Sequence, residues 1–195
     1  MKITRRKFLT QSTTLSLGLL TFKGNTMKFS PQKKTVSVGV IGTGGRGTSL
    51  LRTMLSVGNV NIQALCDIDG DHLARAQQEV IKAGQKKPAG YNKDEYAWQS
   101  MLDNEPLDAV IIATPWRWHT PMAIYAMKKG IYTGVEVPAA YTLRECWDLV
   151  ETYEQTGTPC MMLENWSFRR DNLAVLNMIR NELFGEIVHC HCAHS

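Results

Sequence analysis

The feature that most constrains this chain is a run of closely spaced glycines directly after a short β-branched segment. Residues 42–47 read Gly-Thr-Gly-Gly-Arg-Gly. They follow the apolar run Val36–Ile41, which has the composition of a strand, and they open a helical pattern over Gly45–Val57. A GxGxxG motif in this strand–turn–helix context predicts a dinucleotide-binding loop at the start of a Rossmann domain.

Each position of the motif has a physical role. Gly42 allows the tight turn, Gly44 lets the backbone approach a pyrophosphate, and Gly47 lets the helix pack closely on the sheet. Gly45 and Arg46 fall at the part of the turn that faces the phosphates. We expect the phosphates to bind the free N–H groups at the helix N-terminus, where the helix dipole favours anions.

An acidic residue ends the next predicted strand. Asp67 follows the run Val60–Cys66, at the distance from the glycines where a carboxylate binds the ribose 2′-hydroxyl. A carboxylate there repels the 2′-phosphate of NADP, so the sequence predicts NAD as the cofactor. Asp69 lies close enough to share this role. The alternative is a glycine-rich turn with an unrelated surface aspartate.

Strand-like and helix-like segments alternate from Thr35 onward, which predicts a Rossmann-type α/β fold with a doubly wound parallel sheet. We place this domain at residues 35–165 and the start of an α/β (α+β) substrate domain at 166–195. The predicted strands are Val36–Ile41, Val60–Cys66, Ala109–Ala113, Ile131–Val135, Cys160–Leu163 and Ile187–Ala193, and the predicted helices are Gly45–Val57, Asp71–Ala83, Tyr96–Leu102, Pro121–Lys129, Leu143–Gln155 and Asp171–Glu182. Because the last strand has no partner elements after it, we expect the chain to be truncated within the second domain.

Residues 1–34 have the character of a leader. Residues 4–9 read Thr-Arg-Arg-Lys-Phe-Leu and resemble a Tat export signal, and the apolar stretch Leu15–Phe22 is too short to span a bilayer. We therefore expect export to the periplasm, the alternative being a disordered basic leader of a cytosolic protein. This segment has eight basic residues and no acidic one, so the formal net charge of +4 gives no argument for nucleic-acid binding.

A second cluster of chemically distinctive residues follows the third predicted strand. Trp116, Trp118 and His119 lie beside Pro115, at the carboxyl end of that strand, where α/β sheets bind ligands. Exposure of a tryptophan side chain to water is energetically unfavourable, so we expect the pair to cover a pocket or one face of a cofactor. The alternatives are core packing or an oligomer contact for the tryptophans, and an ordinary helix N-terminal position for His119.

Glu136, Val137 and Pro138 end the fourth predicted strand. The glycine motif, the Ala-Thr-Pro of residues 113–115 and this Glu-x-Pro resemble, in that order, the Gfo/Idh/MocA family of NAD(P)-dependent oxidoreductases. Sugar dehydrogenases of that family usually have a lysine between the glutamate and the proline, which helps to bind substrate and transfer a proton. Val137 cannot do this, which argues against an ordinary sugar dehydrogenase.

Longer stretches resemble one branch, glycoside hydrolase family 109, which includes α-N-acetylgalactosaminidases. The similarity runs from about Val38 to His189 and is carried by the stretches 116–123, 135–140, 145–150, 161–165, 176–178 and 184–189. The resemblance implies a hydrolase that uses NAD without net redox. In that route, the sugar C3 hydroxyl is oxidised, the C2 proton is lost, the aglycone is eliminated, water adds, and the ketone is reduced again. This differs from the two-carboxylate mechanism of most glycosidases.

The resemblance also implies which residues bind the cofactor. By matching positions, these are Gly45, Arg46, Asp67, Trp116, Trp118, His119, Glu136, Val137 and Asn165. A substrate-binding tyrosine of the family falls near position 194, where this chain has His194. The family's catalytic histidine lies further on, so we expect the catalytic residues beyond Ser195.

The run from His189 to His194 alternates histidine and cysteine. In a strand the two residue types face opposite sides, so four ligands cannot converge on one ion without a sharp bend, and we predict no metal site. The expected arrangement is a strand with buried cysteines on one face and histidines towards the cleft, which makes His191 a candidate substrate contact. Cys66 and Cys160 lie in apolar runs and are expected in the core.

Three functions stay open at this point. The first is an NAD-dependent glycosidase acting on terminal N-acetylgalactosamine-type sugars, and the second is an NAD-dependent sugar dehydrogenase. The third is a dinucleotide-binding module without catalysis, which is what a truncated chain would be. The expected partner is a small-molecule or glycan substrate, with no nucleic acid and no membrane span, and a homo-oligomer is left open.

Overall fold

A computed structural model describes residues 35–191 of the chain. The strands are β1 (Val36–Ile41), β2 (Val60–Cys66), β3 (Ala89–Tyr91), β4 (Ala109–Ile112), β5 (Tyr132–Val135) and β6 (Cys160–Met162). The α-helices are α1 (Gly45–Val57), α2 (Gly70–Lys82), α3 (Ala97–Asn104), α4 (His119–Lys128), α5 (Leu143–Thr156) and α6 (Arg170–Arg180), and short 3₁₀ turns cover Trp116–Trp118 and Trp166–Phe168. The predicted export leader and the candidate substrate residue His194 lie outside the described residues, so both stay predictions.

The six strands form one parallel sheet in the order β3-β2-β1-β4-β5-β6. The chain first winds outward from β1 through β2 to β3, then crosses back and winds the other way through β4, β5 and β6. The strand order therefore reverses between β1 and β4. In such sheets, ligands bind outside the carboxyl ends of the strands at the point of reversal. The Rossmann-type α/β class predicted from the sequence is confirmed.

Helices cover both faces of the sheet, because successive side chains of a strand point to opposite faces. Val38 and Val40 of β1 pack with apolar residues of α1 and α2 on one face. Ile41 points to the other face and packs with residues of α3 and α4. Burial of β1 on both faces over residues 38–41 explains why this stretch has no polar side chain.

The predicted strands that correspond to β1, β2, β4, β5 and β6 are confirmed in position, with boundary differences of at most one residue. β3 was not predicted, because its three residues, Ala89, Gly90 and Tyr91, carry no periodic signal. The strand predicted over Ile187–Ala193 was wrong for its described part, since residues 187–191 form no strand. Cys190, expected to be buried on one face of that strand, is exposed.

The last two helices, α5 and α6, differ in their capping and burial. Thr142 and Glu145 form a capping box at the start of α5, and Gly157, with a φ of 67°, ends it in the left-handed conformation that favours glycine. In α6, by contrast, every residue is exposed, including the apolar residues Leu173, Leu176 and Ile179. Within residues 35–191, no helix has the length and apolar character required to cross a membrane.

The loop between β1 and α1 depends on two contacts that exclude any side chain. Gly42 has a φ of 84°, and a Cβ atom there would lie 2.5 Å from the carbonyl oxygen of Ala113. A Cβ atom on Gly47 would lie 1.8 Å from the carbonyl oxygen of Gly42. Both contacts are with backbone, which cannot swing aside as a side chain can. The first turn of α1 therefore sits directly against the end of β1.

We expect Gly47→Ala to destabilise the chain, because its methyl group would force α1 away from the strand. The free energy of unfolding should fall by about 2 kcal/mol or more, measured by urea denaturation. Gly45→Ala is the matched control, since a Cβ atom at Gly45 meets no atom within 4 Å. A Gly47→Ala variant as stable as Gly45→Ala would contradict this account of the loop.

Candidate cofactor site

The phosphate-facing part of the loop is open. A Cβ atom on Gly44 would meet only His72, at 3.9 Å, and one on Gly45 would meet nothing within 4 Å. Unlike Gly42 and Gly47, these two glycines are therefore not required by packing within the described residues. No side chain caps the N-terminus of α1, so its first N–H groups are available to an anion. Glycine at 44 and 45 keeps space for a ligand against those N–H groups.

Asp67 lies where the sequence predicted it, at the carboxyl end of β2 beside the loop. One carboxylate oxygen, Oδ2, accepts hydrogen bonds from the backbone N–H of Thr43 at 2.6 Å and from the Thr43 hydroxyl at 3.0 Å. The other oxygen, Oδ1, accepts from the backbone N–H of Asp69 at 2.9 Å. The carboxylate therefore joins the end of β2 to the glycine loop.

Asp69, the alternative ribose partner, is used differently. Its side chain caps α2 by accepting hydrogen bonds from the backbone N–H groups of Asp71 and His72. These bonds, the one from His72 first, hold the pKa of the Asp69 carboxyl below its usual value. Because the Asp69 carboxylate serves as a helix cap, Asp67 is better placed than Asp69 to bind the cofactor.

A cavity of about 390 Å³ opens beside Asp67, between the ends of β2 and β4. Its apolar lining includes Ile68, Trp98, Pro115, Trp118 and Met122. An apolar slot next to the carboxylate that the sequence predicts as the ribose partner would fit the adenine half of a dinucleotide. Thr43, Ile68 and Trp98 were not singled out from the sequence. The position of Ile68 directly after Asp67 was a usable signal, whereas Thr43 and Trp98 gave none.

The two predicted tryptophans have separate environments. Trp118 lines the cavity and packs edge-on against Tyr96 and Trp98, with ring centroids 5.6 and 6.3 Å apart. Trp116 is 56% exposed, and its ring centroid lies 6.3 Å from that of Tyr141. The structure thus brings Trp118, but not Trp116, into the lining of this cavity.

Arg46 and Glu136 form an ion pair across the carboxyl edge of the sheet. The Nε and Nη2 atoms of Arg46 each lie 2.7 Å from Oε1 of Glu136. Arg46 belongs to the first turn of α1, and Glu136 directly follows β5, so the pair passes over the end of β4. Two residues predicted separately as cofactor contacts are therefore partners of each other.

His119 is the most constrained residue of the site. It is 1% exposed, and its Nδ1 and Nε2 atoms each lie 2.7 Å from a carbonyl oxygen, of Pro138 and Thr114 respectively. Next to it, the Thr120 hydroxyl donates to the carbonyl oxygen of Ala139 at 3.0 Å. The start of α4 thereby ties the loop after β4 to the loop after β5. Both ring nitrogens of His119 are occupied, so it acts here as a link between loops.

The other predicted site residues lie further out. Val137 is partly exposed at the carboxyl end of β5, and the Val137–Pro138 peptide bond is cis. Asn165 is exposed after β6, and His191 is exposed at the end of the described residues. Over residues 35–191, no group of three His, Cys, Asp or Glu side chains is placed to hold a metal ion.

Taken together, these features define a class of protein. The open glycines, the uncapped helix N-terminus, the carboxylate after β2 and the apolar cavity fit the pyrophosphate, ribose and adenine of NAD. A family model described as "Oxidoreductase family, NAD-binding Rossmann fold" (Gfo/Idh/MocA) matches residues 36–164. The chain belongs to this family of NAD-binding Rossmann proteins, as its resemblance implied.

Within that family, the similarity to glycosyl hydrolase family 109 is confirmed. A model of the "Glycosyl hydrolase 109, C-terminal domain" matches residues 168–195. A family 109 protein of Shewanella pealeana is 45% identical over 84% of this chain. An α-N-acetylgalactosaminidase of Shewanella oneidensis is 41% identical over 85% of it. The chain spans about 36% of the length of each of these two relatives.

Solved structures agree on the fold. A dehydrogenase from Chromobacterium violaceum has a TM-score of 0.67 and 30% identity, covering 78% of this chain and 42% of that one. Myo-inositol 2-dehydrogenase from Lactobacillus plantarum has a TM-score of 0.69 at 22% identity, covering 80% of this chain and 44% of that one. At that identity, the second similarity shows the fold alone.

Cys66 lines the cavity and should react slowly with thiol reagents. Burial, and then the nearby carboxylates of Asp67 and Asp94, raise the pKa of its thiol to about 12. Because the thiolate is the nucleophile, we expect iodoacetamide at pH 8 to modify Cys66 at least about tenfold more slowly than the exposed Cys146. Peptide mass spectrometry measures both rates. In denaturant the two cysteines should react at equal rates. Equal rates of modification in the folded chain would contradict the buried placement of Cys66.

His119→Phe should destabilise the chain, because it removes a buried ring N–H donor that lies between two inward-facing carbonyl oxygens. We expect the free energy of unfolding to fall by about 2–3 kcal/mol, measured by urea denaturation. His72→Phe, on a half-exposed ring at the rim of the site, is the matched control and should cost less than half as much. If both variants lose the same stability, His119 is not the link described above.

Proposed function

We propose that the protein is an NAD-dependent glycoside hydrolase that removes terminal N-acetylgalactosamine-type sugars. The family 109 relatives and the NAD-binding fold support a glycosidase of this branch. The name of the Shewanella oneidensis relative supports the choice of sugar.

The observation that carries the proposal is Val137, which stands where ordinary sugar dehydrogenases of the family have a proton-transferring lysine. Glu136 is paired with Arg46, and His119 has both ring nitrogens on carbonyl oxygens. Val137, between Glu136 and Pro138, has no proton to exchange. The hydrolase route and a dehydrogenase both oxidise a hydroxyl and both need a base next to the carbon that loses hydride, but the lysine that serves ordinary sugar dehydrogenases of the family is absent at position 137. In this proposal the described residues bind and orient the cofactor, and proton transfer falls to other residues.

When bound, NAD supplies a reversible hydride acceptor, which allows a sugar hydroxyl to be oxidised and later restored with no net redox. This chain's residues then have distinct tasks. The N–H groups after Gly44 hold the pyrophosphate, Asp67 accepts from the ribose, and Trp118 covers the adenine side of the cavity. The Arg46–Glu136 pair joins the start of α1 to the end of β5, and the His119 link joins the ends of β4 and β5, so both would fix the edge of the sheet against which a bound cofactor would lie.

The decisive experiment follows two products at once. The protein, expressed from its complete reading frame, is incubated with p-nitrophenyl α-N-acetylgalactosaminide while nitrophenol release and NADH absorbance are recorded. We expect steady nitrophenol release without accumulation of NADH, and loss of release after bound NAD is removed.

Two results would overturn the proposal. Stoichiometric NADH with free sugars and no nitrophenol would identify a sugar dehydrogenase. Nitrophenol release that persists unchanged without NAD would point to hydrolysis by another mechanism. As the control for removal of the cofactor, added NAD should restore activity, whereas added nicotinamide alone should not.

A further inference from the structure

Thr43 is almost completely buried, although Gly44 and Gly45 of the same loop leave open space beside it. Its side chain is 2% exposed. The hydroxyl and the backbone N–H both donate to the same atom, Oδ2 of Asp67, at 3.0 and 2.6 Å. One residue of the glycine loop therefore holds the carboxylate by two hydrogen bonds.

These bonds determine which part of the carboxylate is free to accept another hydrogen bond. A carboxylate oxygen has two lone pairs, and both of those on Oδ2 are taken by Thr43. Oδ1 accepts from the backbone N–H of Asp69 at 2.9 Å and has one lone pair left. The ring of His72 lies 3.9 Å from Oδ2, on the side already occupied. The acceptor left for a ligand is therefore on Oδ1.

We propose that Thr43 is a positioning residue that orients Asp67 towards the adenosine ribose of NAD and thereby sets the preference for NAD over NADP. The proposal rests on Asp67 as the ribose partner. With Oδ2 held against the loop, the remaining lone pair of Oδ1 accepts from the 2′-hydroxyl. A 2′-phosphate has no proton to donate in its dianionic form and is repelled by the fixed negative charge.

A purely structural role for Thr43 makes a different prediction, and the loop provides a comparison. The Thr48 hydroxyl donates to the carbonyl oxygen of Thr43 at 2.7 Å. It holds the same loop by a hydrogen bond of similar length, but it does not touch Asp67. Loss of the Thr48 hydroxyl reports the cost of loosening the loop. Loss of the Thr43 hydroxyl adds the cost of holding the carboxylate by the backbone N–H of residue 43 alone.

The experiment measures dissociation constants of the 195-residue chain by isothermal titration calorimetry. The probes are NAD, NADP and the NAD analogue whose adenosine ribose lacks the 2′-hydroxyl. We expect Thr43→Val to raise the Kd for NAD by about five- to tenfold, the size of one lost hydrogen bond, with a much smaller change for NADP. Thr43→Ser keeps the hydroxyl and should stay within about twofold of the unaltered chain. Thr48→Val should change both dissociation constants alike.

The 2′-deoxy analogue separates positioning from loop stability. In the unaltered chain, removal of the 2′-hydroxyl should weaken binding, and in Thr43→Val it should have little further effect, because paired groups are non-additive. Additive effects, or equal weakening of NAD and NADP, would overturn the proposal. If Thr43→Val does not fold, the smaller Thr43→Ala carries the same expectations. Since only binding is measured, the result is independent of whether the protein hydrolyses glycosides.

Discussion

The rest of the site depends on the close contact between Gly47 and the carbonyl group of Gly42. Because a methyl group at Gly47 would lie 1.8 Å from that oxygen, α1 can begin only a few residues after β1 and directly against it. The N-terminus of α1 consequently points at the place where the strand order reverses. This one backbone contact aligns the N–H donors of the loop with the crevice formed by β2 and β4.

Short-range patterns were sufficient to predict most of the sheet. β1 and β2 are buried, β-branched or apolar runs bounded by turn residues, and the sequence analysis found both with their observed boundaries. β3 was not predicted because it is an edge strand of three residues that includes Gly90. Such a strand is defined by its pairing with β2 rather than by its own composition. The error at residues 187–191 has the opposite cause, since a strand-like composition there has no pairing partner among the described residues.

The site was predictable to the extent that it follows from the fold class. The roles of Gly42, Gly47 and Asp67 follow from their order along one βαβ unit, and the structure places each at the glycine loop. The hydrogen-bond and ion-pair partners of these residues and their neighbours cannot be predicted from the local sequence. Thr43 and Asp67 are 24 positions apart and Arg46 and Glu136 are 90 apart, so no spacing rule connects them. A family resemblance likewise names Glu136 and His119 as cofactor residues without saying that one pairs with Arg46 and the other with two carbonyl groups.

These pairings have a consequence for how an anionic dinucleotide is recognised. Two arginines around the crevice already have carboxylate partners: Arg46 pairs with Glu136, and Arg117 pairs with Glu95. The guanidinium groups of both arginines are already engaged, so the groups best placed for the pyrophosphate are the backbone N–H groups of α1, fixed in direction and needing no counter-charge. A carboxylate can then stand beside the ribose without a compensating cation, because it meets a neutral hydroxyl rather than a phosphate. In the proposed arrangement, selectivity for NAD would arise from the same features that bind it: backbone dipoles would hold the diphosphate, and a fixed negative charge would disfavour any further phosphate on the ribose.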